Sequence, residues 1–410
     1  MTETRLDGNV RLQEARLPRL DWILLPLIGI MTILLVSAAT KSVSSHYFSK
    51  SSNTLAACLI QNDPSTGVRG VPNSECRAKS PEFPTIDYKF NSCGHRAGME
   101  CGPKPPEVYR IVMIGSSYPF GLNVQREDSI AALLPLDLSR RTGRQIQIYN
   151  EAMYTGFPRS FDLRFNEIQA AQPDLILWIV TATDIKYSST VLLPNNTIPQ
   201  GVPLGFVAKA TYRLRQALHS GSVLDAINSV ENNALVAFRD SDIGVMLVHT
   251  LNLSPSQSIA SYKAEGSDSF LLRDQLSEER QHDLDEFNTD AASIQERAKS
   301  ASIPIVAVLV PERIRATMIS LNQWPPGYAP YKLSDLLRSM IVNHGGTYVD
   351  ILPGLKTIGN IDQLYEPVDN HPTPKGHAII SALIADQLVK GAVPALKGAH
   401  PTDTSLAEKR

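Results

Sequence analysis

Three residue types that can together make an alcohol nucleophilic occur in this chain where local sequence exposes them. The stretch Tyr109-Arg-Ile-Val-Met-Ile-Gly-Ser-Ser-Tyr-Pro-Phe-Gly121 carries an apolar run, Ile111 to Ile114, into a glycine-bounded turn holding Ser116 and Ser117. Near the other end, Pro367-Val-Asp-Asn-His-Pro-Thr-Pro-Lys-Gly-His377 sets Asp369 two residues before His371, in a proline-stiffened loop ahead of a helical pattern. A hydroxyl is a poor nucleophile until a base takes its proton, and the base works best when a third group fixes its tautomer. The chain order Ser, Asp, His suits that relay. Singly, each residue has a plainer reading: a serine turn, an aspartate capping a loop, a surface histidine.

In order and content these blocks resemble those of the SGNH or GDSL hydrolase superfamily, across Glu107 to Gly391. The resemblance makes Ser117 of Gly115-Ser116-Ser117 the nucleophile, with Ser116 where the family has aspartate. It makes His371 the base and Asp369 its orienting acid; Val368 stands at the family's usual acid position, and Glu366 is the fallback. Oxyanion donors are implied at the Ser117 N–H, at Gly156 in Asn150-Glu-Ala-Met-Tyr-Thr-Gly156, and at Thr183 in Thr181-Ala182-Thr183-Asp184. The family has asparagine where Thr183 stands, and losing one such donor costs about 2.7–4 kcal/mol if nothing replaces it. Asp184 reads as a loop-stabilising residue and His377 as a packing residue at a helix start. The implied activity is a serine esterase working through an acyl-enzyme on an ester, such as an O-acetylated glycan, with no metal and no organic cofactor. An envelope O-acyltransferase and a non-catalytic glycan-binding module are the alternatives.

The elements that must position these residues follow from periodicity. Short apolar runs at Ile111–Ile114, Ile146–Tyr149, Leu175–Val180, Ile305–Val310 and Tyr348–Ile351 alternate with helical patterns, which predicts about five parallel strands covered on both faces. The fold class is therefore α/β, a three-layer domain over residues 107–391, and the resemblance implies that it is flavodoxin-like. Core stripes are Phe161, Phe165 and Ile168; Leu284, Phe287, Ala291, Ile294 and Ala298; and, in a closing helix, Ile380, Leu383, Ile384 and Leu388. Pro135 predicts a kink or early stop in the first helix. An insertion at about 184–273, with helices expected near 206–218 and 224–237, follows the third strand, where it can wall the crevice.

The ends of the chain bear on compartment. Trp22 to Thr40 is an uncharged stretch of 19 residues, close to the ~20 that span a bilayer. Arg5, Arg11, Arg16 and Arg19 precede it, which places the amino terminus inside. The expectation is a cytoplasmic tail at 1–20, a transmembrane helix at 21–40 and an extracytoplasmic body, a single-pass membrane protein. A cleaved signal peptide ending near Ser37-Ala-Ala39, giving a secreted protein, is the rival. Residues 41–106 read as a collar rich in turn formers, and 392–410 as a flexible tail. All four cysteines, Cys58, Cys76, Cys93 and Cys101, fall in that collar. An even count in an exported segment points to two disulfides, with three pairings open. Intervening spacings of 17, 16 and 7 residues lack the tight pairs of a four-thiolate zinc site. With 43% hydrophobic and 20% charged residues and a net charge of −2, the composition is globular and excludes a nucleic-acid partner. The oligomeric state is not legible.

Overall fold

A computed structural model of the chain describes residues 55–63, 67–190, 242–266, 268 and 270–397, with a few positions between 27 and 42. The collar comes first and holds two antiparallel hairpins. One pairs β1 (Leu59–Asp63) with β2 (Gly67–Gly70), the other β3 (Glu75–Lys79) with β4 (Thr85–Lys89). No strands were expected there, although the outward-inward alternation of Thr85, Ile86, Asp87, Tyr88 and Lys89 follows the pleat. Disulfides Cys58–Cys76 and Cys93–Cys101, with Cα separations of 6.0 and 5.9 Å, tie the collar. Its apolar face, including Ile86, Tyr88 and Phe90, packs on Phe120, Ala152 and Met153 of the main domain.

The main domain is a five-stranded parallel sheet. Its strands are β5 (Val108–Ile114), β6 (Gln145–Asn150), β7 (Leu175–Val180), β8 (Ile305–Leu309) and β9 (Thr347–Val349), in the order β6-β5-β7-β8-β9. All five overlap the expected runs, and the order is that of a flavodoxin-like doubly wound sheet. Burial on both faces explains the unbroken apolar sequences: every residue of β7 and of β8 is buried. The long helix Glu278–Ser300 lays Leu284, Phe287, Ala291, Ile294 and Ala298 on the sheet, and the closing helix Pro374–Gln387 buries Ile380 and Ile384.

Several expectations differ in detail. The helix Ile130–Thr142 runs through Pro135 without stopping early, because Ile130, Leu134 and Leu138 are fully buried and hold both sides of the proline against the core. The Phe161 and Phe165 stripe belongs to two short helices, Pro158–Leu163 and Phe165–Ala170, which meet at Arg164. That residue is buried against Glu151, so the break serves an ion pair. Packing continues past Gly391, with Val393 and Leu396 buried, while residues 398–410 lie outside the described residues. The insertion contributes helices Asp242–Asn252 and Pro255–Glu265; the helices expected at 206–218 and 224–237 lie outside the described residues. Most of the 22–40 stretch does too. Among the described residues, no helix is long and apolar enough to cross a membrane.

Candidate active site

Ser117 stands immediately beyond β5, at the start of a single helical turn, Ser117–Phe120. The chain can turn there because Gly115 has φ +139, and a Cβ at that position would sit 2.3 Å from the Ile179 carbonyl oxygen of β7. Only glycine permits so close an approach at that angle. Gly121, with φ +77, then ends the turn, and its N–H donates to the Tyr118 carbonyl at 3.0 Å.

His371 comes from the loop that follows β9 and precedes the closing helix. Its Nε2 lies 2.8 Å from Ser117 Oγ, and its Nδ1 lies 2.5 Å from Asp369 Oδ1. The structure thus brings together a serine and a histidine 254 residues apart in sequence. The loop is pinned through its backbone: Glu366 N–H donates to the His371 carbonyl and Asn370 N–H to the Glu366 carbonyl, both at 3.0 Å. Asn370 takes φ +66, and its carbonyl accepts from the Tyr118 hydroxyl at 2.9 Å, which joins the two loops directly. The Tyr118 ring lies 5.2 Å from the imidazole.

The Asp369 carboxylate is crowded by protein yet keeps 30% of its side-chain surface exposed at the cleft. Crowding alone would raise its pKa; the His371 charge and hydrogen bonds outweigh it, so the group is held below the usual carboxylate range. Asn123 Nδ2 approaches the same oxygen at 3.5 Å, itself fixed by Ser80 and by the Tyr88 hydroxyl. Glu366, the fallback acid, has no such contact with His371. Burial first, then the charges of Glu82 and Asp369, push its carboxyl up to about 7.

The other side of the cleft is the turn after β7. Asp184 Oδ2 accepts from the Thr181 N–H and hydroxyl, both at 2.7 Å, forming a capping box on Ala182–Lys186. Full burial lifts the Asp184 carboxyl to about 6, against the hydrogen bonds from Thr181. Thr183 lines the cleft. Gly156 is not among the residues that line it, although its neighbours Thr155 and Phe157 are, and its N–H donates to the Met153 carbonyl at 2.9 Å within a turn. As the first residue of a helical turn, Ser117 has an N–H with no intrahelical acceptor. His377 is wholly buried, which drives its pKa down to about 3 and keeps it neutral.

Four residues that support the site escaped sequence reading. Glu312, just beyond β8, accepts the Ala182 N–H at 2.6 Å and lines the cleft. Its place after a strand's carboxyl end was the available signal. Arg96 of the collar is fully buried, stacks 4.4 Å over the Tyr88 ring and donates to the carbonyls of Phe120, Gly121 and Val124, clamping the Ser117 turn. Glu82 and Asn123 reach the acid loop across long sequence separations, with no local trace of doing so.

The cleft these elements enclose holds about 260 Å³. It opens at the carboxyl ends of β5 and β7, where the strand order reverses, and Tyr118, Tyr154, Phe157, Tyr187 and Phe270 form aromatic walls beside Ser117 and His371.

No family model matches the sequence, and no curated protein matches it. Among solved structures, the chain is similar to the crystal structure of TesA, with 12% identity over 70% of this chain and 99% of that one and a TM-score of 0.36. It is also similar to the psychrotrophic esterase EstA from Pseudoalteromonas sp., inhibited by monoethylphosphonate, with 11% identity over 69% and 97% of the two chains and a TM-score of 0.34.

Proposed function

We propose that the protein is a serine esterase of the SGNH type. The observation that carries this reading is the continuous contact from Asp369 through His371 to Ser117, with Nε2 facing the alcohol and Nδ1 the carboxylate. His371 takes the Ser117 proton as Oγ attacks an ester carbonyl, and Asp369 holds the tautomer and stabilises the imidazolium. His371 then gives the proton to the leaving alcohol. Water, activated by the same imidazole, attacks the acyl carbonyl, and Ser117 Oγ leaves with the proton. In this reading the Ser117 N–H and Thr183, both of residues that line the cleft, hold the oxyanion; Gly156 could join only by releasing the Met153 carbonyl. Every step uses side-chain and backbone groups of this chain.

Aromatic walls around a small polar floor suit the flat faces of a sugar ring as well as an acyl chain, so an O-acetylated glycan is the substrate class we favour. Two disulfides and the apolar 22–40 segment support a place outside the cytoplasmic membrane, anchored by that segment. The test is turnover of p-nitrophenyl acetate and of an acetylated polysaccharide by the whole chain, with and without a deacetylated glycan acceptor. Free acetate that rises with enzyme and vanishes in Ser117→Ala supports the esterase. Acetyl transfer to the acceptor in place of free acetate would make it a transferase. Retention of glycan with no turnover of either ester would leave a binding module.

A further inference from the structure

Three segments far apart in sequence meet at the backbone of the acid loop. Glu82, in the turn between β3 and β4, accepts the Asp369 N–H at 2.8 Å on one carboxylate oxygen and the Val368 N–H at 3.1 Å on both. His249 of the Asp242–Asn252 helix brings Nδ1 to 2.6 Å from Glu82 Oε1, the oxygen that does not take the Asp369 N–H. The Glu82 side chain is 1% exposed, so it gives up hydration for these partners. Its backbone is also strained, at φ +71, a conformation that costs an ordinary side chain about 1–2 kcal/mol and that glycine or asparagine would adopt more easily. A buried carboxyl group at a strained position, spanning 287 residues to the amide of Asp369, marks a position where local comfort is given up for a long-range contact.

Building on the serine-hydrolase reading above, we propose that Glu82 is a positioning residue, through which the collar fixes the Asp369 carboxylate in line with His371. With both neighbouring amides held, the Asp369 side chain has only its own torsions left to vary. Glu366 adds a second carboxylate nearby, and polar atoms of Glu82, His249 and Glu366 lie within 4.8 Å of one another, a spacing that a divalent cation could also use. The Glu82 oxygens, however, already take two backbone N–H groups and the imidazole, which is the arrangement of a hydrogen-bonded clamp.

The experiment compares full-length wild type, Ser117→Ala, Glu82→Gln, Asp369→Asn and the Glu82→Gln/Asp369→Asn double variant, by p-nitrophenyl acetate kinetics and by the rate of fluorophosphonate labelling. Near-UV circular dichroism establishes which variants are folded. Glutamine offers one acceptor oxygen and turns an NH2 toward the amides. We expect Glu82→Gln to lower kcat by about 10–100-fold with KM within about twofold, the range seen when residues orienting a functional side chain are lost. On the Asp369→Asn background the same change should matter by less than about twofold, since the group Glu82 aims is already disabled. Should Glu82→Gln not fold, Glu82→Asp, one methylene short of the amides, gives the same readout. A folded variant with wild-type kcat, or an equal fractional loss in both backgrounds, overturns the clamp, as does stoichiometric zinc in the wild type that Glu82→Gln loses. Labelling that survives Ser117→Ala overturns the hydrolase reading and the clamp with it. Labelling lost in Ser117→Ala but unslowed in Glu82→Gln overturns the clamp alone.

Discussion

Glu366→Gln should make the protein more stable at pH 8 and leave it nearly unchanged at pH 4.5. The Glu366 carboxyl is lifted to about 7, by burial first and then by the charges of Glu82 and Asp369, with His249 and Arg313 pulling the other way. In the unfolded chain it titrates near 4.5. Between those values the folded protein holds a proton that the unfolded chain has released, so stability falls as pH rises through the window and the full penalty stands above pH 7. At 1.36 kcal/mol per pH unit the ceiling is about 3 kcal/mol. The residue is half-buried, and solvent screening brings the expected gain to about 1–2 kcal/mol. Glutamine keeps the shape and cannot ionise. Urea unfolding at pH 4.5, 6 and 8 reads the effect: the two midpoints should coincide at pH 4.5 and part progressively to pH 8. An equal gain at every pH, or a loss at pH 8, would refute the reasoning; the latter would mean that His249 and Arg313 hold Glu366 as a needed anion.

Other perturbations have equally direct readouts. Asp369→Asn should lower kcat for p-nitrophenyl acetate by about 10³–10⁴-fold with KM little changed, since the imidazole loses the partner that fixes its tautomer. Arg96→Ala removes the donor to three carbonyls of the nucleophile turn and opens a void beside Tyr88. It should cost about 3–5 kcal/mol in urea unfolding, and a cost below about 1 kcal/mol would deny the clamp. Gly115→Ala sets a Cβ against the Ile179 carbonyl at φ +139 and should lose about 3 kcal/mol or more, or fail to fold, whereas a thermal midpoint equal to wild type would show that the turn can relax.

The sheet was legible because its strands are buried on both faces. Leu175 to Val180 must be apolar throughout, and that leaves an unbroken run flanked by turn residues. Ser117 and the Asp369–His371 pair were legible as types in context, each tied to a strand end or a stiffened loop. Their separation could be read from the chain, but their meeting could not, since it depends on strand order. The supporting residues left no local signal. Arg96, Glu82 and Asn123 act through partners 24 to 287 positions away, and a buried arginine or glutamate looks in sequence like a solvated one. The collar hairpins were readable in principle, since Ile86 and Tyr88 alternate with exposed residues, but the high content of turn formers around them masked a two-residue period. Gly156 is a converse case. A glycine matched to an expected donor position had its N–H committed to a local turn, and only coordinates reveal where an amide points.

Activation of Ser117 by His371 is read out by mass spectrometry of the fluorophosphonate-treated chain. One adduct on the peptide containing Ser117, absent in Ser117→Ala and formed at least about 100-fold more slowly in His371→Ala, is the expected result. An adduct on another residue, or labelling of Ser117 at the same rate without the imidazole, would contradict the account.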